Sequence, residues 1–275
     1  MDLTTLEAMP SWEWPANAKD VLLDTLRNKG ADDADRRLAA GLAGDFVVLD
    51  DEIVEALLAI VSAGNELETL RGRAAISLGP ALEHADLEGF DDLDDLVISE
   101  NTFRRVVEQL HRLYMDVAVP TDVRRRILEA SVRAPQDWHA DAIRTAYASD
   151  DPASKLSAVF SMRWAPGFED QILEALASEN EDIEYEAVHA AGHWAIEEAW
   201  PHVTGLITGE TADKSLRLAA IEAVANIRPD EAGVLLVELL DDDDADIVEA
   251  ADEAMAMAQM LDEFEDNEDD EHFPI

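Results

Sequence analysis

Cysteine does not occur in this 275-residue chain. Its absence removes disulfides, thiolate zinc sites and thiol catalysis together, and it agrees with a reducing compartment. Positive charge is scarce as well. Four lysines (Lys19, Lys29, Lys155, Lys214) and sixteen arginines face 63 acidic side chains, for a net charge of −43. Self-repulsion of that size favours solubility, opposes binding to nucleic-acid phosphates or anionic lipid, and attracts cationic partners at long range. Adaptation to high salt is the plainer account of the same composition. Long apolar runs are missing too. The longest candidate, Ala199 to Gly209, is far short of the ~18 residues of a membrane span and contains Pro201 and His202. The N-terminus MDLTTLEAMP lacks the basic region of a secretory signal. These absences lead us to expect a soluble, cytoplasmic protein. There is also no Gly-rich phosphate loop and no Gly-x-Ser-x-Gly motif.

What is present is a repeat. The runs Ile183-Glu-Tyr-Glu-Ala187-Val-His-Ala190, Leu216-Arg-Leu-Ala-Ala220-Ile-Glu-Ala223 and Ile247-Val-Glu-Ala-Ala251-Asp-Glu-Ala254 share one frame. An apolar residue at i is followed by Ala at i+4 and i+7, which marks one face of a helix that a neighbour can approach closely. Val123/Ile127/Ala130 and Leu70/Ala74/Ser77 fit the frame, and Ser154/Ala158/Ser161 and Ala34/Leu38/Gly41 fit it loosely. The frames begin at 34, 70, 123, 154, 183, 216 and 247, and most spacings lie between 29 and 36. A period near 31 to 33 suits a helical hairpin. First helices are expected at 172–177, 203–207 and 234–240. Asp150-Asp151-Pro152 reads as an N-cap before a first-turn proline, and Pro120, Pro135 and Pro166-Gly167 punctuate other junctions. The only β-like run is Phe46-Val-Val-Leu49. The expected fold is an all-α superhelix of about seven hairpins.

The stretches Glu198-Ala-Trp-Pro201 with Val203, Leu206 and Ile207, and Pro229-Asp-Glu-Ala232 through Leu239-Leu240, Ile247, Ala251 and Ala254, resemble HEAT-like repeats of the phycobilisome-lyase type. The resemblance extends from about Pro120 to Leu261. It implies a right-handed α-α solenoid, and it implies a scaffold or adaptor, since most of that family serve as such. Repeats of this type place an Arg directly after the apolar residue that opens the second helix, where it pairs with a neighbouring acid. Arg124 and Arg217 match; Glu184 and Val248 depart from the pattern. Di-iron hydroxylases of similar repeats use His-Glu dipeptides, which this chain lacks. Nothing in it marks a bilin pocket.

Three segments stand outside the repeat. Asp86 to Ser99 is an acidic insertion, expected to form a loop or short helix. Trp12 and Trp14 are expected to pack over the first hairpin as a terminal cap. Residues 1–261 form the expected solenoid, and 262–275 an acidic, disordered tail. Its tip, Phe273-Pro274-Ile275, is similar to the tail tips with which bacterial single-stranded DNA-binding proteins dock partners.

Charge is uneven along the chain. Residues 1–165 hold 17 basic and 31 acidic side chains, whereas 166–275 hold 3 and 32. The arginines cluster in early second helices. Arg71, Arg73, Arg124, Arg125 and Arg126 are candidate binding residues for an acidic or phosphorylated segment, unless they pair with acids of adjacent repeats. Glu186, His189 and His193 fall on one helical stripe, with His202 as a possible fourth ligand. That spacing permits a metal site, but it lacks a companion Glu-x-x-His motif. On balance the sequence points to a non-enzymatic scaffold without cofactor, using its concave face to hold a protein or peptide, most naturally a cationic one. An acidic mimic of nucleic acid, and a metal-binding or lyase-like subunit, are the alternatives.

Overall fold

A computed structural model describes residues 2–90, 96–209 and 213–270. Among these there is no strand, and the chain divides into two compact units, Met1–Arg144 and Thr145–Ile275. The all-α hairpin architecture expected from the repeat is what both units adopt. No helix among the described residues is long and apolar enough to cross a membrane.

In the first unit, α1 (Leu3–Glu7), α2 (Ala18–Arg27), α3 (Asp33–Leu42), α4 (Asp51–Ser62), α5 (Glu68–Ile76), α6 (Gly79–Glu88), α7 (Glu100–Met115) and α8 (Thr121–Ser131) follow in order. The first helices α2, α4 and α7 pack in a row, and the second helices α3, α5 and α8 form another row against them. Side-chain caps define several starts. Asp50 accepts from the amides of Glu52 and Ile53, and Ser99 accepts from Thr102. Burial follows the helical stripe: Ile53, Val54, Leu57 and Val61 of α4 and Leu70, Ala74 and Ala75 of α5 are fully enclosed. Helix α9 (His139–Tyr147) carries the chain across the boundary.

The second unit contains α10 (Pro152–Met162), α11 (Glu169–Leu176), α12 (Glu181–His193), α13 (Trp200–Thr208), α14 (Lys214–Ile227), α15 (Pro229–Leu239) and α16 (Ala245–Asp270). Here α10, α12, α14 and α16 pack successively as second helices, with α11, α13 and α15 lying against them. Asp151 caps α10 through the amides of Ala153 and Ser154, with Pro152 in the first turn, as the sequence implied. All seven frame positions fall in second helices, six of them two residues after the helix start.

The seventh is a correction. Ala34 is exposed, and Leu38 and Gly41 are only half-buried, while Arg36, Ala39, Ala40 and Ala43 are enclosed. Aligned by the helix start and by Arg36, α3 corresponds to 35/39/42, one residue later, with Asp35 exposed and Leu42 half-buried where the other second helices bury a residue. The reason is chemical: the buried face of α3 opens with an arginine, which a hydrophobic frame passes over.

Other expectations divide. Trp14 is half-buried and its Nε1 donates to the Leu6 carbonyl at 2.9 Å, but Trp12 is 79% exposed. Leu3 and Leu6 of α1 share with Trp14 the covering of the first hairpin. The Phe46–Leu49 run forms turns that bury Val48 and Leu49. In the insertion, residues 86–88 finish α6 and 91–95 lie outside the described residues. The backbone of α16 runs through Asp270, into the segment expected to be a tail; Phe273, Pro274 and Ile275 lie outside the described residues.

Candidate functional site

The arginine that follows the frame residue has a recurring task. Arg36 donates to the carbonyl of Leu26 at 3.2 Å, Arg71 to that of Val61 at 2.9 Å, and Arg217 to that of Ile207 at 3.1 Å. Each acceptor lies ten residues earlier and is the next-to-last residue of the hairpin's first helix. These carbonyls have no partner inside their own helix and sit at its negative end, so a buried guanidinium satisfies both needs. Arg36 also grips Glu66 of the next hairpin, at 2.7 and 3.0 Å, and Arg217 reaches Asp242 at 2.9 Å. The Arg36 guanidinium holds the Glu66 carboxyl below the usual carboxylate range. Arg124 holds the same position, but its buried Nε has no hydrogen-bond partner. At Glu184 the polarity reverses: the carboxylate meets His202 Nε2 at 2.9 Å. The departure noted in the sequence is thus a changed pair.

The remaining arginines of the expected basic stripe are also engaged. Arg125 contacts Asp122 at 3.1 Å and Glu129 at 3.7 Å, and Arg126 contacts Glu129 at 2.5 Å. Exposed Arg73 lies directly over Gly41, where a Cβ would stand 2.6 Å from its Nε. Arg126 lies over Gly72 in the same way. Arg73 and Arg126 occupy equivalent positions in successive second helices, each crossing a glycine of the preceding one.

The histidine stripe lies in a cleft of about 170 Å³ within the second unit, lined by Arg163, His189, Gly192, His193, Glu222, Asn226 and Met257. Small residues make its floor. A Cβ on Gly192 would be 2.9 Å from both Cα and Cβ of Ala223, so α12 and α14 touch there at backbone distance. Helix α12 ends in a reciprocal pair of bonds, Ile196 N–H to Ala191 O and Ala195 N–H to Gly192 O, with Ala195 at φ 48°. That turn directs the Trp194 indole back to the Met162 carbonyl at 2.8 Å, which sets the adjoining Arg163 at the cleft. Tyr185 meets His189 edge-on at 4.6 Å, and Trp194 meets His193 edge-on at 5.0 Å. Burial pushes both imidazoles below the ordinary histidine value. Glu222, 3.8 Å from His189 Nδ1, partly offsets this at His189, and Arg163 adds to it at both.

Arg163, Glu222 and Asn226 were missed by sequence reasoning. Among the described residues no group of three His, Asp or Glu side chains is placed to hold a metal ion. Glu186 is half-buried on α12 beside the cleft and is not among its lining residues.

A second histidine cluster lies in the first unit. His139 is 1% exposed, its Nδ1 accepts from the Gln136 amide at 2.8 Å, and its Nε2 lies 3.0 Å from Ser131 Oγ. Since Nδ1 accepts, Nε2 carries the proton and donates to the serine, so this pair cannot activate Ser131 as a nucleophile. Burial holds His139 down to about 4.

The family model for HEAT repeats matches residues 169–256. No curated protein sequence matches the chain. Among solved structures it is similar to YibA of E. coli, with 15% identity and a TM-score of 0.46, covering 92% of this chain and 90% of that one. Human deoxyhypusine hydroxylase aligns at 16% identity and a TM-score of 0.42, over 94% of this chain and 88% of the other. The CpcE–CpcF complex of phycocyanin lyase from a Nostoc species aligns at 15% and 0.42, over 91% and 98%.

Proposed function

We propose that this chain, whose residues 169–256 match the HEAT-repeat model, is a non-enzymatic, cytoplasmic scaffold whose second unit gathers a cationic protein or peptide segment. One observation carries this reading: the distribution of charge over the repeat surface. Residues 145–275 contain 34 acidic and 5 basic side chains, against 29 and 15 in residues 1–144. Stacked hairpins present rows of outward helix faces, a surface suited to extended partners. On the second helices α12, α14 and α16 those faces carry exposed Glu181, Asp182, Glu222, Glu249, Asp252 and Glu253. Lys214 bridges Asp244 and Asp246, and Arg217 holds Asp242, which leaves few internal cations to neutralise the rest. Such a field accelerates encounter with a basic partner and excludes acidic ones. The internally satisfied His139–Ser131 pair supports the non-enzymatic part of the reading.

Affinity capture from the native cell at low and moderate salt, followed by mass spectrometry, tests it. The expected partners are basic as a class and are released by moderate salt. Predominantly acidic partners, or capture indifferent to salt, would refute the electrostatic basis.

A further inference from the structure

We propose that the cleft framed by α10, α12 and α14 is an oxyanion site, in which Arg163, His189 and His193 take the phosphate group of a phosphomonoester or inorganic phosphate. The inference concerns one local group and a small ligand, and it shares only Glu222 with the acidic faces of the cationic-partner reading.

The starting point is Arg163. In a chain with three acids for every base, five arginines of the second helices, Arg36, Arg71, Arg125, Arg126 and Arg217, hold a carboxylate or a carbonyl. Arg163 has neither among the described residues; its guanidinium lies over the Trp164 ring at 5.5 Å. Half-buried beside two imidazoles, this guanidinium is a local excess of positive potential, countered in the cleft by the Trp164 ring and Glu222. An anion in the cleft would counter it further. The lining comes from separate elements: the Arg163 fork from the end of α10, two imidazoles one turn apart on α12, and Asn226 from α14, whose Nδ2 also donates to the Glu222 carbonyl at 3.4 Å. A tetrahedral dianion with three free oxygens can use all of them, whereas a planar carboxylate cannot. A cation would meet Arg163 as a like charge, with Glu222 its sole counter-ion.

The charged groups facing the two imidazoles are Arg163 from α10 and Glu222 from α14; α16 contributes Met257 to the lining, and α11 contributes nothing. Glu222 opposes the anion, but its side chain is 57% exposed and can turn into solvent. Burial and Arg163 disfavour the protonated form of both histidines. A bound dianion reverses the balance and favours their protonated forms, so binding of the dianion draws protons onto the histidines.

The test uses the full chain and follows imidazole C–H signals by NMR. Signals are assigned with His189→Gln and His193→Gln, and ionic strength is held constant with chloride. Sodium phosphate and a phosphoserine peptide are titrated separately at pH 6.0 and 8.0. His189 and His193 should shift saturably and towards their protonated positions, while His139 stays still. Arg163→Gln should weaken binding about 10-fold or more, Arg163→Lys should retain most of it, and Glu222→Gln should tighten it several-fold. Saturation by both probes identifies free phosphate as sufficient; saturation by the peptide alone means the anion arrives on a peptide. Either outcome supports the site. No saturable shift with either probe, equal binding by Arg163→Gln, or weaker binding by Glu222→Gln would overturn it.

Discussion

Alanine at position 192 should destabilise the protein, although alanine is the better helix former. Replacing a helical glycine by alanine normally gains about 0.5–1 kcal/mol, because glycine loses more backbone freedom on folding. At Gly192 the new methyl would stand 2.9 Å from Cα and Cβ of Ala223, closer than real Cβ contacts allow. Neither obstructing atom is the end of a flexible side chain, so α12 and α14 must move apart. Overpacking of this kind costs ~1–3 kcal/mol. Set against the propensity gain, the expected net loss centres on about 1 kcal/mol, within a span of about 0–2.5 kcal/mol. Gly205 in α13 and Gly233 in α15 supply the controls, since a Cβ at either would meet nothing within 4 Å. Gly205→Ala and Gly233→Ala should each gain about 0.5–1 kcal/mol. Urea denaturation followed by circular dichroism compares the three under one condition. The opposite signs are the content of the prediction. If Gly192→Ala is as stabilising as Gly233→Ala, the close α12–α14 approach is wrong, and the floor of the cleft with it.

Other outcomes follow from the same geometry. Arg36→Ala strands Glu66, which is 11% exposed, and frees the Leu26 carbonyl, so it should cost about 3–5 kcal/mol; Arg217→Ala, at a pair 27% and 22% exposed, should cost distinctly less in the same denaturation series. Ala195→Gly should stabilise by about 1 kcal/mol, since it relieves a left-handed alanine at the end of α12, and a thermal melt reads the gain. His139 is neutral in the fold down to about pH 4 but charges near pH 6.5 when unfolded, so its contribution is complete above about 6.5 and is lost as pH falls towards 4. The loss amounts to about 3 kcal/mol, and His139→Gln should flatten the stability–pH curve over that window relative to the unaltered chain.

The repeat was legible in the sequence because α12, α14 and α16 each pair a large apolar residue with alanines at i+4 and i+7, and close packing leaves few other solutions. The first frame slipped by one residue because Arg36, enclosed in the fold, reads as a surface residue in a hydrophobic pattern. Its signal was nonetheless present: counted from the corrected frame, Arg36, Arg71, Arg124 and Arg217 share one position. The histidine stripe was visible, but its company was not. Carrying the frame past i+7 aligns His189 with Glu222 at i+6 and His193 with Asn226 at i+10, so neighbouring repeats place them side by side. Arg163 had no such register. It reaches the cleft through the Trp194–Met162 bond, a contact between residues 32 apart that no period predicts. Trp12 and Trp14 were indistinguishable as sequence, and one turn of chain separates the packed indole from the exposed one.

The central claim is that the acidic faces of the second unit select a cationic partner. Its most direct measurement is the salt dependence of affinity for an arginine- and lysine-rich peptide, for the intact chain and for a variant carrying Glu181→Gln, Asp182→Asn, Glu249→Gln, Asp252→Asn and Glu253→Gln. These side chains are exposed, so the fold should persist. Affinity for the intact chain should fall steeply from about 50 mM to about 500 mM salt, and the variant should bind weakly at low salt with a much shallower dependence. Equal affinity and equal salt dependence for the two proteins would contradict it.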